Sequence, residues 1–169
     1  MKWINKFKKK NTKPSTAHPH TPLVSDYLTP KTISFFHSGP SKQQVIGTLI
    51  SSLQLPDPNA ALKAILAREE VGSTVVTPGL ALPHARIHGI DGIQAALGIS
   101  ATGVVEPRLS EPIRVFLLFL GPADNMKEHL SFLANVSKLF QNEKLVQNLL
   151  PLHSADDVLE KIRQAELSA

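Results

Sequence analysis

The segment that most constrains this chain is Ile113–Leu120, IRVFLLFL. Its unbroken apolar part, Val115 to Leu120, is far short of the ~20 residues a membrane-spanning helix needs. It also lacks the alternation of a strand with one face in water. A run of this kind predicts a central strand covered on both faces. Something must then cover each face, and helical patterns lie on both sides of it in the chain.

On the amino-terminal side, Ser41 is placed to cap a helix in which Val45, Ile46, Leu49, Ile50 and Leu53 recur at i, i+3 and i+4. Pro56 ends it. Asp57-Pro58 opens a second helix, with Ala61, Leu62, Ile65 and Leu66 as its buried stripe, running to about Glu70 with Gly72 closing it. Short extended pieces punctuated by Gly and Pro follow at Thr74–Thr77, Leu80–Leu82 and Gln94–Ser100, and Ile33–Phe35 reads as another. Beyond the central strand, helices are predicted over about 126–141, 143–150 and 155–165, with Glu143, Asp156 and Asp157 as acids favouring helix starts. The expected fold is α/β: a mixed central β-sheet flanked by helices on both faces, a three-layer sandwich.

Residues 1–30 read differently. Residues 1–13 hold six lysines and no acid, and Pro14, Pro19, Pro22 and Pro30 follow among Ser, Thr and His. This stretch is expected to be a disordered tail, since it offers too little apolar surface to offset its ordering entropy. Trp3, Ile4 and Phe7 beside the lysines give the alternative of a short basic segment in weak contact with a membrane. Residues 31–169 form the expected domain. The net charge of +4 belongs to the tail: without those six lysines, 12 bases face 14 acids. The domain therefore carries no nucleic-acid footprint. The absence of cysteine excludes disulfides and suits a cytoplasmic protein. No apolar h-region of a secretory signal is present.

The chemistry concentrates in residues 67–90, AREEVGSTVVTPGLALPHARIHGI. Pro83 restricts the backbone just before His84, at the end of an expected strand. Arg68, Ser73, Thr74 and Arg86 lie near in sequence. Guanidinium and hydroxyl groups around one imidazole are what a phosphoryl group needs. Arg86 is either a phosphate contact or a surface residue favouring an acidic or phosphorylated partner. His84 and His88 have the i, i+4 spacing of a helical zinc pair, but Pro83 and Gly89 oppose a helix and no third ligand is evident, so no metal is expected. His18, His20, His37 and His153 read as solvated.

Arg68-Glu69, Gly72-Ser73-Thr74, Gly79 and Leu80-Ala81-Leu82-Pro83-His84 resemble the active-site region of the fructose/mannitol-type enzyme IIA family of the sugar phosphotransferase system. A second block, VFLLFLGPADNMKEHLSFLANVSKLF with His129-Leu130 at a helix start, is similar to the family's second block. The resemblance covers roughly residues 26–163. It implies that His84 is phosphorylated through Nε2, that His129 stands across the site and stabilises the phosphoryl group, and that Arg68 holds phosphate oxygens. Val76 and Pro78 depart from the small or polar residues more usual there.

The resemblance implies a phosphoryl carrier accepting phosphate from phospho-HPr or its nitrogen-branch paralogue, with sugar transport or regulation as the output, and with no cofactor. A separate enzyme IIB or regulatory target proteins would be its partners. Lacking a IIB or IIC segment, the chain is most similar to the stand-alone nitrogen-regulatory group. The alternative is a regulatory binding protein whose phosphorylation state is the output. An unrelated reading is a ligand-binding or structural α/β domain that is never phosphorylated.

Overall fold

The computed structural model describes residues 22–142 and 144–168. The lysine-rich segment 1–13, His18, His20 and Glu143 lie outside the described residues. Six strands and five α-helices are described: β1 (Ile33–Phe36), α1 (Lys42–Ser52), α2 (Pro58–Val71), β2 (Val75–Thr77), β3 (Leu80–Ala81), β4 (His84–Ile87), β5 (Gln94–Val104), β6 (Ile113–Pro122), α3 (Met126–Leu139), α4 (Lys144–Leu149) and α5 (Ala155–Leu167). The strands make one mixed sheet in the order β1-β5-β6-β3-β2, with β4 also paired to β6. The pair β5–β6 is antiparallel, while β1–β5, β3–β6 and β4–β6 are parallel.

The segment IRVFLLFL is the sheet's central strand, buried throughout its apolar part. Successive side chains of a strand point to opposite faces. Val115, Leu117 and Phe119 accordingly pack with α3, α4 and α5, through residues such as Phe132, Val136, Leu149 and Ile162. Phe116, Leu118 and Leu120 pack on the other side with Val45, Leu49, Ala61 and Ile65 of α1 and α2. The expected three-layer sandwich is the fold observed. The caps on which the helices were placed are present. Ser41 Oγ accepts from the Gln44 N–H, and Asp57 Oδ1 accepts from the Ala60 N–H at 2.9 Å.

β5 runs on to Val104, past the expected Ser100, and two further differences from the sequence reading matter more. Residues before 31 already belong to the fold. Val24–Tyr27 form a 3₁₀ turn in which Val24 and Ser25 are buried, and Leu28 also joins the core. Glu166 of α5 holds this turn: its carboxylate accepts from the Val24 N–H at 2.5 Å and from the Ser25 hydroxyl at 2.6 Å. Those partners are some 140 residues apart in the chain, so composition alone gave no sign of them.

The second difference is at His84, expected at a strand end and observed as the first residue of β4. Pro83 has no N–H and reads as a break. Its carbonyl nonetheless accepts from the Phe119 N–H at 3.0 Å, so pairing with β6 carries on across it. Leu80 lies opposite Val115 and His84 opposite Phe119 in one continuous register.

Candidate active site

That register builds the site. His84 and Phe119 are partners on adjacent parallel strands, and Arg86 and Gly121 are partners two residues further on. All four share the face on which α3 packs. The imidazole of His84 lies flat against Phe119, with ring centroids 5.2 Å apart and planes 11° apart. Phe119 is fully buried and backed by Phe132 at 4.8 Å, and Tyr27 sits edge-on to Phe132 at 5.0 Å.

His84 Nδ1 is 2.7 Å from the Leu82 carbonyl oxygen. A carbonyl only accepts, so Nδ1 carries the proton and donates it. In the neutral ring Nε2 is then a free lone pair. Burial pushes the His84 imidazole below its ordinary value. The Leu82 hydrogen bond opposes that shift, the Arg68 charge adds to it, and the Glu69 charge opposes it. A lowered value favours the neutral ring near pH 7.

The second imidazole comes from α3. Asn125 caps this helix through the Glu128 N–H, so His129 lies in its first turns, on the face turned to the sheet. Its ring centroid is 5.6 Å from that of His84 and 5.1 Å from that of Phe119. His129 is only 7% exposed, and its Nδ1 is sealed from solvent with no hydrogen-bond partner among the described residues. Burial, then the nearby His84 and the Arg86 charge, pull its pKa down to about 4.

Arg68, in the last turn of α2, is near enough to His84 to act on it by charge, and its Nη1 donates to the Gly72 carbonyl at 3.1 Å. Arg86 is exposed, donates to the Ala123 carbonyl at 3.2 Å, and acts by charge on His129. The charges of Arg68 and Arg86 thus act on the two imidazoles. The hydroxyls do not join them in the expected way. Thr74 is buried, and its one proton is donated to Glu69, whose other oxygen meets the Lys42 ammonium at 2.5 Å. In this structure the Thr74 hydroxyl is therefore committed to Glu69. Ser73 is exposed, and its Oγ accepts from the Val75 N–H. His88 follows β4 and is exposed, as are His37 and His153.

Sequence reasoning missed Phe119, Gly121, the Leu82 carbonyl and the Lys42–Glu69–Thr74 group. The i, i+2 spacing of Phe119 and Gly121 was a usable signal only once β4 was known to run beside them.

An open mixed sheet thus lies between two helix layers, with one imidazole on the strand beside its centre and a second facing it from α3. Residues 26–165 match the family described as "Phosphoenolpyruvate-dependent sugar phosphotransferase system, EIIA 2", and the chain belongs to that family. It is 29% identical over 146 residues to the fructose-specific EIIABC component of Bacillus subtilis, a match covering 83% of this chain but 23% of that longer protein. It is also 29% identical over 118 residues to the nitrogen regulatory protein of Escherichia coli, covering 68% of this chain and 71% of that one. The crystal structure of nitrogen regulatory protein IIA-Ntr from Neisseria meningitidis superposes with a TM-score of 0.72 at 21% identity, covering 82% of this chain and 98% of that one. No helix among the described residues is long and apolar enough to cross a membrane.

Proposed function

We propose that this phosphotransferase-system component is a phosphoryl carrier whose acceptor atom is His84 Nε2. The observation that carries the reading is the 2.7 Å bond from His84 Nδ1–H to the Leu82 carbonyl, which directs the ring's lone pair to Nε2. In the transfer step that lone pair attacks phosphorus. A new N–P bond forms as the donor's phosphoramidate N–P bond breaks, and its electron pair returns to the donor imidazole. The protein's task is positioning and charge stabilisation. Arg68 and Arg86 supply positive charge, and His129 supplies a hydrogen bond.

The donor is a phosphohistidine protein, HPr or its nitrogen-branch paralogue. Met126 and Leu130 stand exposed one turn apart on the helix that carries His129, which gives a protein partner apolar surface beside the site. A cytoplasmic setting follows from such a donor.

Two outputs fit this site. One is onward transfer to a separate enzyme IIB and a sugar. The other is regulation, with the phosphorylation state of His84 controlling target proteins. Relatives of both kinds, a fructose-specific EIIA component of Haloferax volcanii and the nitrogen regulatory protein of Escherichia coli, match at 29% identity and over similar shares of their length, so the comparisons support both outputs alike. The test is incubation with enzyme I, HPr or its paralogue, and labelled phosphoenolpyruvate. One acid-labile, base-stable label is expected on wild type and none on His84→Ala with its fold intact. Undiminished labelling of that variant would remove His84 from the reaction. Adding a IIB protein and sugar then separates transport from regulation.

A further inference from the structure

Gly121 occupies an unfavourable place for glycine: a buried position on the central strand, where a missing side chain forfeits packing and backbone entropy. Backbone conformation does not demand glycine here, since Gly121 is not among the positive-φ residues. Space does. A Cβ placed on Gly121 would lie 2.5 Å from His129 Nδ1, 3.0 Å from its Cβ and 3.1 Å from its Cγ. The imidazole edge rests on the bare backbone of β6, and any other residue would push it away.

We propose that Gly121 is the positioning residue for His129. By lacking a side chain it seats the imidazole against β6 with Nδ1 sealed, so that Nε2–H is the one hydrogen-bond donor His129 presents to a phosphoryl group on His84. The tautomer follows from the seat. A proton on Nδ1 would be a buried donor with no acceptor, whereas a bare lone pair there is the lesser penalty. The ring proton therefore resides on Nε2. His129 acts as a neutral donor that gives up no proton and needs none, consistent with its depressed pKa of about 4. A neutral donor adds a hydrogen bond to the phosphoryl group without adding a third full charge to those of Arg68 and Arg86.

The inference rests on the proposed phosphorylation of His84, and Gly121→Ala in the full chain tests the two separately. Imidazole ¹⁵N spectra of the unphosphorylated protein report the seat itself. Wild type should show His129 with Nε2 protonated, resisting titration down to about pH 4. The variant should show a mixed tautomer titrating nearer the ordinary 6.5. Phosphoryl transfer from phospho-HPr to His84 should slow toward the rate of His129→Ala, ~10²–10³-fold below wild type if His129 is a full electrostatic donor. The double variant Gly121→Ala/His129→Ala should be no slower than His129→Ala alone. If Gly121→Ala fails to fold, His129→Ala in the same chain must restore folding, because it removes the clashing ring. A wild-type His129 spectrum and a transfer rate within about twofold of wild type would overturn the proposal, as would a double variant whose losses multiply or a fold that is not restored. Absence of any label on wild type would instead sink the phosphorylation reading, while the spectra would still decide the seat.

Discussion

His84 and Phe119 are register partners on adjacent parallel strands, and their rings stack 5.2 Å apart with planes 11° from parallel. The stack is a consequence of pairing, because side chains at paired positions leave the sheet on the same face. It gives the His84 imidazole a rigid apolar backing on one side, while the Leu82 carbonyl holds Nδ1. Phe119→Leu keeps the site apolar and removes the ring. An aromatic pair is worth ~0.5–1.5 kcal/mol beyond its burial, so transfer to His84 should slow by about 2- to 10-fold if that support is used in the reaction. Quenched phosphotransfer decides, and an unchanged rate would make the stack incidental.

Arg68→Ala and His129→Ala should still accept label on His84, but slowly. Each removes a group expected to stabilise charge on the moving phosphoryl oxygens, where loss of one donor typically costs ~10²–10³-fold. Circular dichroism should report a retained fold for both. A rate within about twofold of wild type would take the substituted residue out of the site.

Stability should depend on His129 in mild acid. The ordinary imidazole value is 6.5, and the folded value is pulled to about 4. His84 and Arg86 of β4 face this ring, and Glu128 precedes it on α3. Between pH 6.5 and 4 the unfolded chain binds a proton at this position that the folded chain refuses. Unfolding free energy therefore falls as pH drops through that window and levels off below it. His84 is shifted in the same direction and adds to the slope. Urea titrations across pH 4–7 should show a shallower slope for His129→Gln than for wild type. Identical slopes would show that His129 titrates normally.

The turn at Val24–Tyr27 should depend on the last described helix. Glu166→Ala leaves the Val24 and Ser25 N–H groups and the Ser25 hydroxyl without their acceptor. Stranding part-buried donors costs ~1–3 kcal/mol. The check is a urea midpoint together with hydrogen exchange at the Val24 and Ser25 amides, which should lose protection first. If protection is unchanged, the carboxylate is not what holds the turn.

Thr74 offers the opposite contrast. Its hydroxyl serves Glu69, which Lys42 also neutralises, and Lys42 reaches Glu106 at 3.1 Å as well. Thr74→Val should lower stability by ~1–3 kcal/mol while altering phosphoryl transfer less than threefold. A loss of transfer as large as that of Arg68→Ala, with stability unchanged, would return the hydroxyl to the phosphate.

Much of this protein is written locally. The unalternating run Val115–Leu120 requires cover on both faces whatever the topology, because every residue in it is apolar. Ser41 and Asp57 mark their helices because a short polar side chain can satisfy an orphan N–H three residues on. The Pro-His pair and its nearby arginines marked His84 as an acceptor candidate through their resemblance to the enzyme IIA blocks, and the second block supplied His129 in the same way. Tertiary structure decided what those residues touch. Pro83 reads as a break in sequence but lies within a continuous ladder, since its carbonyl can accept although its nitrogen cannot donate. That single continuation places His84 against Phe119 and Arg86 beside Gly121. Thr74 lies among the phosphate candidates in sequence, and folding brings Glu69 to its hydroxyl. Local pattern records a residue's own preferences. Register and helix docking set its neighbours, and for Gly121 the neighbour is what makes glycine necessary.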